Sequence, residues 1–281
     1  MNLLQILILA IVQGAAELLP VSSSAHVIVA EKLMGLDPTA PEMTLLLVML
    51  HTGTMFAVIL YFWKSWRAAY FSSLAAFRAT ALQVILATAM TGVVGLALLQ
   101  AIKHLVAGGS PTFEIESIFG NTRLIAGALA AAGALIIVSS RFSEGQNNGF
   151  SLSRAAWVGA VQGLCLPFRG FSRSGATIST GLMLGVSRRR AEEFSFALAV
   201  VLTPPVIARE AWRLYKALDA TSATATPALL HSVGPSLLGM SLSFLAGLVA
   251  LKWLSRWLEQ GRWYFFGAYC LLASLIVLRI G

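Results

Sequence analysis

Charged side chains are scarce in this chain. Only 11% of its 281 residues are Asp, Glu, Lys or Arg, against about 25% in ordinary soluble domains. Hydrophobic residues make up 57%, and several runs without any charge approach or exceed the roughly 20 apolar residues that cross a bilayer. The runs of spanning length are 43–63, 79–102, 124–140 and 220–251, with shorter ones at 194–208 and after Trp263. This composition argues against a soluble protein and predicts an all-α polytopic membrane protein.

Cysteine and acidic residues are also few. The two cysteines, Cys165 and Cys270, lie in apolar segments, which argues against a disulfide framework and against a zinc site. Asp and Glu number 12 against 20 Lys and Arg, so the net charge is +8. The basic residues are spread over short loops rather than gathered on one face, so we expect no nucleic-acid partner. They fit the excess of Lys and Arg in the cytoplasmic loops of membrane proteins, whose partners are lipids.

The two halves of the sequence resemble each other. Val12-Gln13-Gly14 recurs about 150 residues later as Val161-Gln162-Gly163, and a serine-rich break follows each copy. We predict one membrane domain with halves of about 1–140 and 149–281, joined by a polar linker of about 141–154. Many transporter folds contain such repeats in inverted orientation, with broken helices near the midplane.

The distribution of charge predicts the topology. The loop with Lys64, Arg67 and Arg78 is basic and is expected on the cytoplasmic side, where Arg188 to Arg190 also fall. Met1 to Ala30 and the segment 155–187 each contain two pieces too short to span the bilayer. We therefore predict an inverted-topology repeat with two re-entrant helical hairpins that meet near the bilayer midplane, where non-helical backbone needs protein or water around it.

The tip of the first hairpin carries a carboxylate in an apolar environment. Gln13 and Glu17 are four residues apart and share one helical face, and Pro20 ends that helix before Ser22, Ser23 and His26. A carboxylate inside a membrane costs a few kcal/mol and is usually functional. The simpler interpretation is that Glu17 pairs with an arginine and holds the hairpins together.

The tip of the second hairpin has the composition of an anion site. It reads Gly170-Phe171-Ser172-Arg173-Ser174-Gly175-Ala176-Thr177-Ile178-Ser179. Glycines let backbone amides approach a ligand, hydroxyls donate hydrogen bonds, a helix N-terminus favours negative charge, and the Arg173 guanidinium matches phosphate. Serine-rich turns also serve as helix caps or as small packing residues, and this second interpretation remains open for the stretch alone.

The two tips together resemble the signature motifs of the undecaprenyl-diphosphate phosphatase, or bacitracin-resistance, family. The resemblance covers the whole chain in length, helix pattern and motif spacing. The family pattern (E/Q)xxxE falls on Gln13 and Glu17, and its SRSGAT falls on residues 172–177. Arg169 stands where the family has proline, and Ala25 stands where glycine is usual.

The resemblance implies hydrolysis of undecaprenyl diphosphate to undecaprenyl phosphate and phosphate in the plasma (inner) membrane. This reaction recycles the lipid carrier of cell-wall synthesis. Mg²⁺ or Ca²⁺ would be bound by Glu17 and Gln13, and Ser23 would be the nucleophile, with His26 or Glu17 as proton acceptor. An activated water is the competing nucleophile. Arg173 would stabilise the transition state, and the residues expected to bind the substrate are Ser22, Ser172, Ser174, Gly175 and Thr177.

One alternative function remains open. A carrier of a lipid phosphate or another organic anion would also use inverted repeats and a cationic tip, but it needs the set of Glu17, Ser23 and Arg173 less. The chain is compatible with a monomer or a homodimer.

We expect His51, in a long apolar helix, to be a packing residue, and we expect Glu192 and Glu193 to form a solvated ion-pair cluster with the preceding arginines.

Overall fold

A computed structural model describes residues 2–37, 41–107, 121–142, 145, 149–168, 170–220 and 225–280. All ten regular elements that these residues form are α-helices. They are α1 (Leu3–Leu18), α2 (Ser23–Leu33), α3 (Pro41–Tyr70), α4 (Leu74–Ala107), α5 (Thr122–Ser139), α6 (Leu152–Leu164), α7 (Arg173–Met183), α8 (Arg188–Ala220), α9 (Ala225–Glu259) and α10 (Tyr264–Ile280). The prediction of an all-α protein is confirmed.

Five of the described helices are long and apolar enough to cross a membrane, judged by length and composition. These spans are Met43–Tyr70, Leu74–Leu105, Thr122–Ser139, Arg188–Arg209 and Val233–Glu259. In contrast, α1, α2, α6 and α7 have between 11 and 16 residues each. The two segments predicted to be hairpins therefore consist of short helices, whereas their orientation in a bilayer stays a prediction.

The described residues divide into two compact units. The first contains Met1–Leu18, Ser23–Trp63 and Ala199–Leu254. Apolar side chains of α1, α2 and α3 form its buried core, and they are Ile6, Leu9, Ala10, Val27, Met43, Leu46 and Leu50. A Cβ atom on Gly14 would lie 2.7 Å from the backbone oxygen of Ser243, so α1 contacts α9 at a distance that only glycine permits. This packing fixes the end of α1 that carries Glu17.

The second unit contains Leu19–Ser22, Lys64–Leu198 and Ser255–Gly281. Within it, α4 packs on α6 and α5 packs on α10. The indole Nε1 of Trp263 donates to Ser139 Oγ on α5 at 3.1 Å and to Ser179 Oγ on α7 at 3.2 Å. These buried hydrogen bonds connect α7 to its neighbours and hold the segment that carries Arg173.

Candidate active site

The first candidate cluster surrounds Glu17 at the end of α1. The Ser23 hydroxyl, at the first residue of α2, donates to Glu17 Oε2 at 2.6 Å, and Gln13 Nε2 donates to the same oxygen at 3.2 Å. The Glu17 side chain is 19% exposed, so its carboxylate is largely shielded from solvent. The structure therefore brings together three residues that the sequence analysis predicted for the site. Ser23 and Gln13 both donate to one carboxylate oxygen of Glu17.

His51 is a neighbour of Glu17 that the sequence analysis assigned to packing. Its Nε2 atom lies 3.8 Å from Glu17 Oε2, and its Nδ1 atom lies 2.8 Å from the backbone oxygen of Leu47. A carbonyl oxygen only accepts, so Nδ1 carries the hydrogen of that bond. Nε2 is therefore the nitrogen that can take up a proton beside the carboxylate. The signal in the sequence was the ionisable residue itself, since such residues within apolar helices are usually functional.

The turn between α1 and α2 has an unusual backbone. Ser22 is buried and has a φ of 66°, the left-handed region that residues other than glycine seldom adopt. Ser23 follows directly as the first residue of α2, where the helix N-terminus favours negative charge. His26 lies three residues further, on the same face of the helix as Ser23. The turn thus presents the Ser23 hydroxyl at a helix N-terminus.

The second candidate cluster lies at the start of α7. Ser172 is the N-cap, because its Oγ accepts from the backbone N–H of Gly175 at 3.2 Å. Ser174 Oγ donates to the backbone oxygen of Leu19 at 3.3 Å. Thr177 Oγ1 donates to the backbone oxygen of Arg173 at 2.8 Å and lies 2.6 Å from Ser195 Oγ. These hydroxyls therefore cap and anchor the helix, as in the second interpretation of the sequence.

Arg173 is the cationic group of this cluster. It is half-buried and is the first residue of α7, so its side chain belongs to the end of the helix that attracts anions. Burial raises the pKa of the neighbouring Cys165 thiol to about 12, and the positive charge of Arg173 acts in the opposite direction. Burial therefore favours the neutral thiol of Cys165, and Arg173 is the charged group of this pair.

The turn before α7 depends on a glycine. Gly170 has a φ of 106°, and a Cβ atom at this position would lie 2.5 Å from the backbone oxygen of Ile125. Both facts exclude a larger residue without movement of the backbone. The preceding residue, Arg169, which replaces the proline of the family pattern, lies outside the described residues.

The donor set around Glu17 fits a hard divalent cation that is shared with a substrate. Within the described ranges, no three side chains of His, Cys, Asp or Glu are grouped as metal ligands. Mg²⁺ is commonly held by one or two carboxylates together with phosphate oxygens of the substrate, and Glu17 offers one carboxylate beside a hydroxyl and an amide.

The described part of the chain is helical, with a serine hydrogen-bonded to a carboxylate and an arginine at the start of another helix. Phosphoryl-transfer proteins use groups of these kinds, so phosphoryl transfer is the class of activity that they suggest. A family model described as "Bacitracin resistance protein BacA" matches residues 6–276. The chain belongs to this family.

Curated relatives match nearly the whole length of the chain. "Undecaprenyl-diphosphatase 2" of Acinetobacter baylyi is 63% identical over 280 residues, which cover 100% of this chain and 98% of that protein. "Undecaprenyl-diphosphatase" of Desulfosudis oleivorans is 33% identical over 100% of this chain and 99% of its own length. The protein of the same name from Thermus thermophilus is 32% identical over 94% of this chain and 91% of its own.

Proposed function

We propose that the protein is a membrane phosphatase that hydrolyses undecaprenyl diphosphate to undecaprenyl phosphate and inorganic phosphate. The names of the relatives support this activity, and the observation that carries it here is the 2.6 Å hydrogen bond from Ser23 to Glu17. The reaction takes place in the plasma membrane and returns the lipid carrier to cell-wall synthesis. Rapid return of the carrier also gives resistance to bacitracin.

In the proposed mechanism, Ser23 Oγ attacks the terminal phosphorus of the diphosphate. Its proton passes to Glu17 Oε2, the atom that already accepts its hydrogen bond. The new bond joins Oγ to phosphorus, and the bond to the bridging oxygen breaks, so undecaprenyl phosphate leaves. A water molecule then cleaves the phosphoserine and releases inorganic phosphate. Of the two proton acceptors that the sequence left open, the hydrogen bond favours Glu17 over His26.

Two further groups are given roles near the carboxylate. Gln13 holds Glu17 Oε2 in place through its amide N–H. The Nε2 atom of His51 is 3.8 Å from Glu17 Oε2, and we propose that it receives the proton from Glu17 through one water molecule or after a small approach. Its other ring nitrogen is bonded to the Leu47 carbonyl. Removing the proton from Glu17 in this way restores the base for the hydrolysis of the phosphoserine.

Arg173 is proposed to bind the negative oxygens of the diphosphate. Its planar guanidinium can donate two parallel hydrogen bonds to a phosphate, and the N-terminal amides of α7 add a favourable dipole. The hydroxyls of Ser172, Ser174 and Thr177 contribute by keeping this helix start in place. Ser22 and Gly175 supply backbone at the two turns.

A divalent cation, Mg²⁺ or Ca²⁺, would be held by Glu17 and by the oxygens of the substrate, with Gln13 as a neutral neighbour. When bound, it supplies charge neutralisation at the phosphate oxygens. The residues of the chain supply the nucleophile, the proton acceptor and the orientation of the substrate.

The test is release of phosphate from a polyprenyl diphosphate by the purified protein in detergent, with and without EDTA. We expect turnover that EDTA abolishes and that added Mg²⁺ or Ca²⁺ restores. Ser23→Ala is the matched variant and should be inactive, and mass spectrometry of acid-quenched wild-type protein should detect phosphoserine at position 23. Active Ser23→Ala protein would instead support attack by water. Absence of any release under all these conditions would favour the anion carrier.

A further inference from the structure

A cavity of about 420 Å³ lies between the last turns of α3 and the start of α8. It is lined by Lys64, Ser65, Ala68, Ala69, Ser187, Arg189 and Arg190, and we call it the basic cavity. All of these residues belong to the second unit, and the proposed mechanism uses none of them. The walls consist of cations, hydroxyl groups and alanine methyl groups, which is a suitable lining for a small anion.

A buried carboxylate organises the cations of the basic cavity. Glu193 Oε1 accepts from Arg189 Nε at 3.0 Å, and Glu193 Oε2 accepts from a terminal nitrogen of Arg190 at 2.7 Å. The Ser65 hydroxyl also donates to Glu193, and Arg189 donates to Ser65 at 3.1 Å. The side chain of Glu193 is only 1% exposed. The expectation of a solvated cluster is therefore wrong for Glu193, which the end of α3 covers. It is also wrong for Glu192, which is 3% exposed.

Positive charge exceeds negative charge in this cluster. Three cationic side chains, Lys64, Arg189 and Arg190, stand against the carboxylate of Glu193. The adjacent Glu192 accepts a hydrogen bond from Ser255. The Arg189 side chain is 69% exposed, so part of its guanidinium remains accessible from the cavity. The first turn of a 33-residue helix adds the positive end of its dipole to the same place. The two arginines are already oriented, so an anion would bind without having to order them.

The same contacts determine which segments share a membrane face. The hydrogen bonds of Ser65 with Glu193 and Arg189 join the end of α3 to the start of α8. The charge distribution of the sequence predicts that both segments lie on the cytoplasmic side. Acidic phospholipids give that leaflet a negative surface, and basic pockets beside membrane helices bind their head groups.

We propose that the basic cavity is a binding site for a phosphate group, separate from the residues that carry out hydrolysis. The group can belong to inorganic phosphate or to the head group of an acidic phospholipid, because both present the same negative oxygens to Lys64 and Arg189. The alanine side chains carry no hydrogen-bond donor, so the donors among the lining side chains are the cations and the hydroxyls.

The experiment measures binding by thermal unfolding of the purified full-length protein in neutral detergent. The probes are inorganic phosphate, dihexanoyl phosphatidylglycerol and, as the uncharged reference, dihexanoyl phosphatidylcholine, all at constant ionic strength. The variants are Lys64→Gln and Arg189→Gln, which both leave the Arg190–Glu193 pair intact. Lys64→Arg keeps the positive charge at this position. Arg154→Gln is the matched control, because Arg154 is a half-buried cation at the start of α6 and lies outside the cavity lining.

We expect the dissociation constant for at least one anionic probe to rise about tenfold or more in each Gln variant, the scale of losing a charge-assisted hydrogen bond. Lys64→Arg and Arg154→Gln should bind like the wild type. Stabilisation by phosphatidylglycerol alone identifies a lipid head group, and stabilisation by inorganic phosphate alone identifies the free anion. The proposal is overturned if neither anion stabilises the wild type more than phosphatidylcholine does, or if the Gln variants bind unchanged. Unchanged binding in the Gln variants is also the result expected if phosphate binds only at the hydrolytic residues.

Discussion

Replacement of Glu17 by glutamine separates the chemical role of this residue from its packing role. Glu17 Oε2 accepts hydrogen bonds from Ser23 at 2.6 Å and from Gln13 at 3.2 Å. The amide oxygen of a glutamine can accept both, so the local packing should persist and the unfolding midpoint should stay close to that of the wild type. What the variant loses is the negative charge and the ability to take the Ser23 proton.

The size of the effect follows from these losses. A positioned general base contributes about 10²–10⁴ to the rate, and the weakened binding of a cation adds to this. We expect kcat/KM for a polyprenyl diphosphate to fall at least about 10³-fold, which corresponds to about 4 kcal/mol of transition-state stabilisation. Steady-state phosphate release at several concentrations of Mg²⁺ and Ca²⁺ measures this fall in kcat/KM.

A matched control separates the site from the general cost of removing a buried carboxylate. Glu31 on α2 is buried and belongs to the same pair of short helices, so Glu31→Gln makes the same chemical change outside the Ser23 contact. Its activity should stay within about tenfold of the wild type, or about 1.4 kcal/mol. Metal-dependent turnover of Glu17→Gln at that level would refute both roles assigned to Glu17.

Three further variants test the remaining assignments. Gln13→Glu should retain activity and lower the concentration of Mg²⁺ needed, because a second carboxylate strengthens a hard-cation site. Complete loss of activity at saturating cation would contradict the placement of residue 13 beside the metal. Arg173→Lys keeps the charge but loses the planar fork, so turnover should fall about 100-fold, whereas Arg154→Lys should have no effect. Equal activities of these two variants would remove Arg173 from the site. Gly170→Ala requires a residue with a Cβ atom to adopt a φ of 106°, with this atom 2.5 Å from a backbone oxygen. The free energy of unfolding should therefore fall by about 2 kcal/mol or more. An unchanged unfolding midpoint would contradict this interpretation of the turn.

Local sequence signals predicted the short helices well. The segments expected as helices at 155–168 and 174–187 are observed at Leu152–Leu164 and Arg173–Met183. The helix starts differ from the expected ones because Ser151 and Ser172 cap the two helices through their side-chain oxygens. Residues that cap and break helices act within a few positions of themselves, which is why a sequence reveals them.

The repeated Val-Gln-Gly motif shows where sequence similarity stops being informative. Each glycine permits a close helix contact, since a Cβ atom would lie 2.7 Å from Ser243 O at Gly14 and 2.9 Å from Thr91 O at Gly163. The glutamines differ: Gln13 donates to Glu17, whereas Gln162 donates to Thr91 at 3.0 Å. The motif therefore permits close helix packing in both places, and the glutamine of the first copy donates to a carboxylate, whereas that of the second donates to a hydroxyl.

The surroundings of Glu193 and of His51 could not be predicted from the sequence, and the physical reason is the same. The spacing of Arg189, Arg190 and Glu193 correctly indicates ion pairs, because residues three and four apart meet on a helix. The burial of Glu193 depends instead on Ser65, which is 128 residues away in the chain. His51 is likewise brought to Glu17 by the packing of α3 rather than by any local pattern. Helical periodicity determines which side chains share a face, but the helix that covers this face decides whether a charge there is solvated, paired or catalytic.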